Sequence, residues 1–254
     1  MRITFLGTGT SAGIPLIGCK CHVCTSTNPK DKRLRSSILI EEGNTCVVVD
    51  TTPDFRYQML SNKVEKLDAV LFTHEHRDHI AGLDDTRPYL FWSGEPMQIY
   101  CEESVENAIR RDFYYAFEQN PYPGSPQFAL NRLNPNQKLE IGDLQIEPLR
   151  VWHGKMAVLG FRINNFAYIT DANRIPPESW ERLQNLDYLV LNALRIEEHH
   201  SHYNLKEALE VVAALNPKNT FFTHISHQLG TQVEIDKGTP PSVQLAYDGL
   251  ALEI

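Results

Sequence analysis

The sequence predicts a layered α/β fold in a single domain that spans residues 1–254. Short apolar or β-branched runs that are typical of strands alternate with segments in which apolar residues recur at helical spacing. The chain is 42% hydrophobic and 22% charged over 254 residues, so it can bury a sizeable core without disulfides or a partner. No internal repeat and no linker divides it.

The predicted elements follow in order along the chain. In the first part, strands are predicted at 3–6, 37–40, 46–49 and 68–72, with a turn at 43–44 and a helix at 53–60. Apolar spacing predicts a helix at 102–117, and four prolines indicate an irregular connection at 120–137. In the remainder, strands are predicted at 138–141, 144–149, 159–163, 166–170 and 188–191, with helices that begin at Pro177 and span Leu205–Leu215.

A histidine-rich run follows the predicted strand 68–72 and indicates metal binding. It contains His74, His76, Asp78 and His79 within six residues, in a chain with ten histidines among 254. His74 and His76 are two residues apart, so in an extended strand end both project to one side, where imidazole nitrogens can hold one ion. Asp78 and His79 are then available to a second ion. Histidines also cap helices and line polar surfaces, but such clustering is improbable by chance.

This H-x-H-x-D-H run resembles the metallo-β-lactamase superfamily of metallohydrolases. Three further residues stand in the order of that family's distant ligands, each directly after an apolar or β-branched run: His153, Asp171 and His224. The resemblance implies an αββα sandwich, with two sheets packed face to face and helices outside. It also implies a dinuclear centre in which Asp171 bridges, and in which the two ions are held by His74, His76 and His153 and by Asp78, His79 and His224.

A second cluster of metal-binding residues lies near the N-terminus. Cys19, Cys21 and Cys24 form a C-x-C-x2-C motif, and three thiols so close together cannot all pair with one another. In a cytoplasmic protein such clusters bind metal more readily than they form disulfides. Three thiolates leave one corner of a zinc tetrahedron open. His227 is favoured as the fourth ligand, with His22 as the other candidate. A redox-active or exposed thiol cluster is the alternative interpretation of the motif.

Taken together, the motifs resemble the PhnP-type phosphodiesterases of phosphonate metabolism over nearly the whole chain. The shared features are the opening Gly7-Thr8-Gly9-Thr10, the cysteine cluster, the histidine run and the segment 223–228. The resemblance implies that a structural zinc is held by Cys19, Cys21, Cys24 and His227.

His202 matches the histidine that PhnP and the related tRNA 3′-processing nucleases use beside the scissile phosphate. We therefore expect it to act as general acid or phosphate stabiliser. The alternative, a helix-capping or surface histidine, is preferred for His199 and His200. Asp78 is expected to help orient the nucleophile.

The resemblance implies a metal-dependent phosphodiesterase for small cyclic phosphates or nucleotide phosphodiesters. Hydroxide held between two divalent ions, zinc or manganese, would be the nucleophile. One alternative is a tRNA 3′-processing endonuclease of the RNase Z type. The net charge of −8 and the segment 120–137, with only Arg132 within it and Lys138 beside it, argue against a nucleic-acid partner. A catalytically inactive metal-binding module is the other alternative, and the complete ligand set argues against it.

Two residues near the predicted site have open roles. Arg87 is a candidate for contact with a substrate phosphate, or for a structural ion pair with Asp84 or Asp85. Asn192 stands where related enzymes often carry an acidic residue that orients a metal-bound histidine.

The sequence also bears on location and assembly. The apolar start at 3–6 is too short for the core of a signal peptide, and no apolar run approaches the roughly 18 residues of a membrane span. We therefore expect a cytoplasmic protein with a small-molecule substrate and no membrane partner. The family resemblance implies a homodimer.

Overall fold

The computed structural model describes residues 1–135 and 137–254, and it confirms the predicted αββα sandwich. Strands are numbered in chain order. The first sheet runs, from edge to edge, through β14 (Ala251–Glu253), β1 (Arg2–Gly7), β2 (Ser37–Glu42), β3 (Thr45–Val49), β4 (Ala69–Leu71), β5 (Met97–Cys101) and β6 (Phe128–Arg132). The second runs through β13 (Val243–Leu245), β12 (Asn219–Thr223), β11 (Tyr188–Asn192), β10 (Phe166–Ile169), β9 (Met156–Ile163), β8 (Leu144–His153) and β7 (Leu139–Ile141).

Helices cover the outer faces of both sheets. In chain order they are α1 (Phe55–Ser61), α2 (Arg77–Ile80), α3 (Arg87–Ser93), α4 (Glu103–Asp112), α5 (Pro177–Glu181), α6 (Leu205–Leu215) and α7 (Gln232–Gly238). Short 3-10 turns occur at Pro29–Asp31, Leu83–Thr86 and Tyr114–Phe117. In the part of the chain that the structure describes, no helix combines the length and the apolar character needed to cross a membrane.

The hydrophobic core has three layers, as an αββα arrangement requires. Strand β3 illustrates why its sequence is continuously apolar: Val47 and Val49 pack between the sheets with Phe161 and Tyr168 of the second sheet. Val48 points the other way, into the layer beneath α1 and α4. A strand buried on both faces cannot alternate apolar with polar residues. The third layer lies between the second sheet and α5, α6 and α7.

The strand directions bring the predicted ligands to one edge of the sandwich. Strands β3, β4, β5 and β6 are parallel neighbours in the first sheet, and β10, β11, β12 and β13 are parallel neighbours in the second. Because parallel strands end at the same edge, the residues that follow β4, β10 and β12 are close in space. These are the histidine run, Asp171 and His224.

Two predicted elements differ from the observed structure in instructive ways. The prediction of an irregular connection at 120–137 is wrong in part, because β6 lies within this segment and forms the edge of the first sheet beside β5. Asn136, also in this segment, lies outside the described residues. The prolines fall outside β6, so they bound the strand instead of excluding it.

The helix predicted at 102–117 is too long. It ends at Asp112, and Phe113 leaves the helical conformation with φ −117° and ψ 36°. The rings of Phe113 and Phe117 then pack on Phe128 of β6, with centroids 6.3 and 5.9 Å away. Packing against the edge strand therefore outweighs continuation of the helical pattern. Strand β5 was not predicted, although buried Met97, Ile99 and Cys101 alternate with more exposed residues.

Candidate active site

The structure brings the seven predicted ligands of the dinuclear centre together. The ligand atoms of His74, His79 and Asp171 lie within 4.8 Å of one another, and so do those of Asp78, His79 and His224. His74 Nε2 is 2.9 Å from His76 Nδ1, and the rings of His76 and His153 are 5.2 Å apart. Residues up to 150 positions apart in the chain therefore converge on one small volume, although metal binding by each of them stays a prediction.

Hydrogen bonds at the wall of the site orient four of the histidines. Each uses one ring nitrogen in such a bond and turns the other toward the centre, which is the usual arrangement behind metal-binding imidazoles. The pairs are His74 Nδ1 with Thr73 Oγ1 (2.9 Å), His79 Nδ1 with Asp50 Oδ2 (2.7 Å), His153 Nδ1 with the Ser201 carbonyl (2.7 Å) and His224 Nε2 with Thr10 Oγ1 (3.2 Å).

The inward-facing atoms fit a divalent metal better than they fit one another. His79 Nε2 and His224 Nδ1 are buried with no hydrogen-bond partner among the residues that the structure describes, at 3.3 and 3.1 Å from Asp171 Oδ2. Buried polar atoms with no partner are rare and call for an explanation. Imidazole nitrogens beside carboxylate oxygens form a donor set suited to zinc and manganese. The residues present therefore fit the metals that the sequence predicts.

The charges in the site point to the same conclusion. Burial alone would raise the pKa of Asp171, but His224 and His79 hold it well below its ordinary value. Burial would lower the pKa of His79, but Asp78, Asp171 and Asp50 raise it well above its ordinary value. In the metal-free protein a proton on His79 thus balances the carboxylates around it. A divalent cation would replace that proton, so metal binding is expected to weaken as the pH falls.

Backbone strain is also present at the site. Asp50, Asp171 and His224 have φ values of 66°, 52° and 55°, the left-handed region that favours glycine. A non-glycine residue there costs on the order of 1–3 kcal/mol and persists only where the surroundings impose it. Asp50 and His224 directly follow β3 and β12, and Asp171 lies two residues after the end of β10. The turn redirects the chain at the residue whose side chain enters the site.

His202 lies at the site and does not cap the following helix. It is 7% exposed, its Nδ1 is 3.9 Å from Asp171 Oδ1, and its ring is 4.3 Å from that of His153. The N-cap of α6 is Asn204, which forms a reciprocal capping box with Glu207. Burial lowers the pKa of His202 to about 2 despite the nearby Asp171 carboxylate. The ring is therefore neutral in the metal-free protein.

Two other predicted residues have structural contacts. Arg87 forms an ion pair with Asp84 at 2.9 Å, and Asp84 also accepts a hydrogen bond from Tyr115 Oη at 2.5 Å. This is the structural alternative for Arg87, whose contact with substrate stays a prediction. Asn192 bonds to the backbone N–H and carbonyl of Ala172 at 2.8 and 3.0 Å. It therefore holds the turn after Asp171 in this structure.

The cysteine cluster forms a separate group with His227. The Sγ atoms of Cys19 and Cys21 lie 3.4 and 3.3 Å from His227 Nδ1, close to the spacing of about 3.5 Å expected for two ligands of one tetrahedral zinc. Cys24 belongs to the same group, and all three thiols are free. His22 lies apart from the thiols, with its Nε2 3.4 Å from Glu234. The structure thus brings together the four residues that the family resemblance implies.

The environment prepares one of the thiols for metal binding. The backbone N–H of Cys24 and the His227 ring lower the pKa of Cys21 to about 6, whereas burial raises the pKa of Cys24 to about 11. Cys21 is therefore largely a thiolate at neutral pH, the form in which cysteine binds metals.

Sequence reasoning missed three residues that support the centre. Asp50 accepts hydrogen bonds from the Thr73 N–H (2.9 Å) and hydroxyl (2.8 Å) as well as contacting His79. It follows the buried strand β3, so the strand-end argument that found Asp171 would also have found Asp50. Thr73 and Thr10 carry no comparable signal, because threonine is common at strand ends and turns.

Comparison with known proteins identifies the class. The profile of the beta-lactamase superfamily domain matches residues 45–225, most of the chain. A crystal structure described as a new diphosphatase from the PhnP family is 39% identical, with a TM-score of 0.93 over 100% of this chain and 97% of that one. The chain therefore belongs to the metallo-β-lactamase superfamily and, within it, to the PhnP family, as the sequence motifs predicted.

Two other relatives extend the comparison. An octanoyltransferase of Porphyromonas gingivalis is 39% identical over 252 residues, 98% of this chain and 51% of that protein, so the chain spans about half the length of this relative. The zinc-bound PqqB structure from Methylobacterium extorquens has a TM-score of 0.82 and 18% identity over the full length of both chains. At that identity the similarity concerns the fold alone.

The two candidate metal sites are expected to respond differently to mutation. Cys21→Ser should lower Tm by about 10 °C, because each kcal/mol of lost metal-binding energy shifts Tm by about 2–4 °C in a chain of this size. His76→Ala should abolish turnover and leave Tm within a few degrees of the wild type. Circular dichroism melts and hydrolysis assays measure both effects.

His22→Ala is the matched control, since His22 lies between Cys21 and Cys24 in the sequence but its ring contacts Glu234 instead of the thiols. It should keep both the zinc and the wild-type Tm. Equal thermal destabilisation by Cys21→Ser and His76→Ala, or full activity of His76→Ala, would contradict the assignment of the two sites.

Proposed function

We propose that the protein is a metal-dependent phosphodiesterase that hydrolyses small cyclic phosphates or nucleotide phosphodiesters. The observation that carries the proposal is the convergence of buried, unpartnered imidazole nitrogens around Asp171, with His202 beside them. In this proposal one ion would be held by His74, His76 and His153 and the other by Asp78, His79 and His224, with Asp171 available to both. Two divalent ions, zinc or manganese, held by these sets would activate a water molecule as nucleophile and neutralise charge on the phosphoryl oxygens.

His202 is the proposed general acid. Burial holds the pKa of its ring low, but a phosphodiester anion bound beside it would raise that pKa and favour a proton on the imidazole. That proton would pass to the leaving oxygen as the ester bond breaks. Asp78 is proposed to orient the nucleophile as well as to bind metal. Cys19, Cys21, Cys24 and His227 are proposed to hold a structural zinc, separate from the chemistry.

A diphosphate ester is the second candidate substrate, because the relative that is 39% identical over its whole length is described as a diphosphatase. A tRNA 3′-processing role has less support. The basic residues at the segment 120–137 are neutralised, since Arg132 pairs with Glu103 and Glu106, and Lys138 pairs with Glu147. With a net charge of −8, the chain offers little to attract a polyanion. A cytoplasmic location and a homodimer complete the proposal.

A substrate screen with metal-reconstituted protein tests this function. Cyclic phosphates, linear phosphodiesters, nucleoside diphosphate esters and precursor tRNA would be compared by kcat/KM, with His76→Ala as the control for contaminating activity. We expect small diesters to exceed tRNA by about 100-fold or more, the size of one well-used substrate-positioning interaction. Preference for diphosphate esters would support the second candidate. Rates no higher than those of His76→Ala for every compound would contradict both.

Replacement of His202 tests the mechanism. His202→Ala should lower kcat for an alkyl phosphodiester by about 100-fold or more, with metal content unchanged, because general acid catalysis contributes typically 10²–10⁴-fold. The loss should be smaller for a p-nitrophenyl ester, whose leaving group departs without protonation. His199→Ala is the matched control, since this neighbouring ring is more exposed than that of His202.

The two esters separate the possible outcomes. An equal loss for both would replace the acid role with charge stabilisation of the phosphoryl oxygens. No loss for either would remove His202 from the reaction.

A further inference from the structure

One amide side chain, that of Asn173, joins the two loops that carry His153 and His202. Its Oδ1 accepts a hydrogen bond from the backbone N–H of Gly154 at 2.9 Å, directly after His153. Its Nδ2 donates to the carbonyl of His200 at 3.0 Å, two residues before His202. Asn173 itself lies two residues after Asp171. The side chain therefore connects three segments that each contribute a residue to the site.

A third contact closes the arrangement. The carbonyl of Ser201, next to that of His200, accepts the bond from His153 Nδ1. Consecutive carbonyls of the loop 199–202 are thus held by Asn173 and by His153. The backbone of Asn173 is fixed in turn, because its N–H donates to the Trp152 carbonyl at 2.9 Å. The loop has no regular secondary structure, so its position is set by these side-chain contacts together with the backbone bond from the Tyr203 N–H to the Ala172 carbonyl at 2.8 Å.

We infer that Asn173 is a positioning residue that holds the loop 199–202 so that His202 is aimed at the reacting phosphate beside Asp171. The inference rests on the proposed function, because it assigns Asn173 a role through His202. It concerns orientation only, because the two hydrogen bonds of the Asn173 side chain go to backbone groups, the Gly154 N–H and the His200 carbonyl.

The chemistry of the contacts explains why an amide is needed. The Gly154 N–H requires an acceptor and the His200 carbonyl requires a donor, and the asparagine side chain offers both at the correct length. Aspartate has the same shape but would place a carboxylate oxygen against the His200 carbonyl. Asn173→Asp therefore keeps the bond to Gly154 and specifically releases the loop that carries His202.

The kinetic test is a double-mutant cycle between Asn173→Asp and His202→Ala. Alone, Asn173→Asp should lower kcat for an alkyl phosphodiester by about 10–100-fold, the loss expected when a catalytic group is misplaced by about 1 Å. KM should change by less than about 3-fold, and the p-nitrophenyl ester should be affected less, as with His202→Ala. In the His202→Ala background the same change should add less than about 2-fold, since both act through one group.

Asn62→Asp is the matched control. Its amide also donates to a backbone carbonyl, that of Gln58 at 2.8 Å, but at the end of α1. It removes a comparable bond, so it should lower stability to a similar extent and leave the kinetics and the ester preference unchanged. If Asn173→Asp and His202→Ala multiply their losses, or if Asn62→Asp gives the same kinetic profile, the positioning role is wrong.

Hydrogen–deuterium exchange provides a readout independent of turnover. Backbone amides of 199–204 should exchange faster in Asn173→Asp than in the wild type or in Asn62→Asp, with metal content equal in all three. Unchanged exchange would overturn the inference. If His202→Ala alters neither ester's rate, the proposed acid role fails. If the amides of 199–204 still exchange faster in Asn173→Asp in that case, Asn173 holds the loop but has no role in catalysis.

Discussion

The rest of the site depends on the contacts of the Asp171 carboxylate. It is almost fully buried, lies within 3.3 Å of ring nitrogens from His79 and His224, and is itself held in a left-handed backbone conformation. Without a cation, a buried carboxylate beside unpartnered imidazole nitrogens is unfavourable, because buried polar atoms need a partner. A divalent cation between them would satisfy the carboxylate oxygens and the ring nitrogens together. The outer bonds from Asp50, Thr73, Thr10 and the Ser201 carbonyl then serve to keep the rings pointed inward.

The fold makes this convergence possible because it places several strand ends at one edge. Rigid strands, buried on both faces, fix where Asp50, Asp171 and His224 leave the sheets. The strained turns at these residues persist because the surrounding layers are well packed. The loop of His202 lies outside the strands and is held by side-chain contacts and by the backbone bond from the Tyr203 N–H to the Ala172 carbonyl. We therefore expect the predicted metal ligands and the proposed acid to differ in their sensitivity to remote substitutions.

Sequence reasoning reached the residues that converge at the site but not the residues that orient them. Local signals in the sequence alone identify these residues: His74 and His76 by their spacing, and Asp171 and His224 by their position after apolar runs. The acceptor of the His153 ring is a backbone carbonyl, which any residue at position 201 would supply, so no side chain marks it. The contacts of Asn173 likewise join segments 19 and 27 residues away. The sequence does not predict strand β6, because prolines lie on both sides of it. The predicted α4 is too long because its apolar pattern continues into aromatic residues that pack on β6.

Anomalous diffraction from crystals of protein purified without chelators tests the central claim most directly. The account predicts three peaks per chain at the zinc or manganese absorption edges. Two should lie about 3.5–4 Å apart on either side of the Asp171 carboxylate, the spacing of two-metal hydrolytic centres, and one should lie among Cys19, Cys21, Cys24 and His227. Absence of any peak at Asp171 in protein that hydrolyses phosphodiesters, with His79 and His224 bonded directly to the carboxylate, would contradict it.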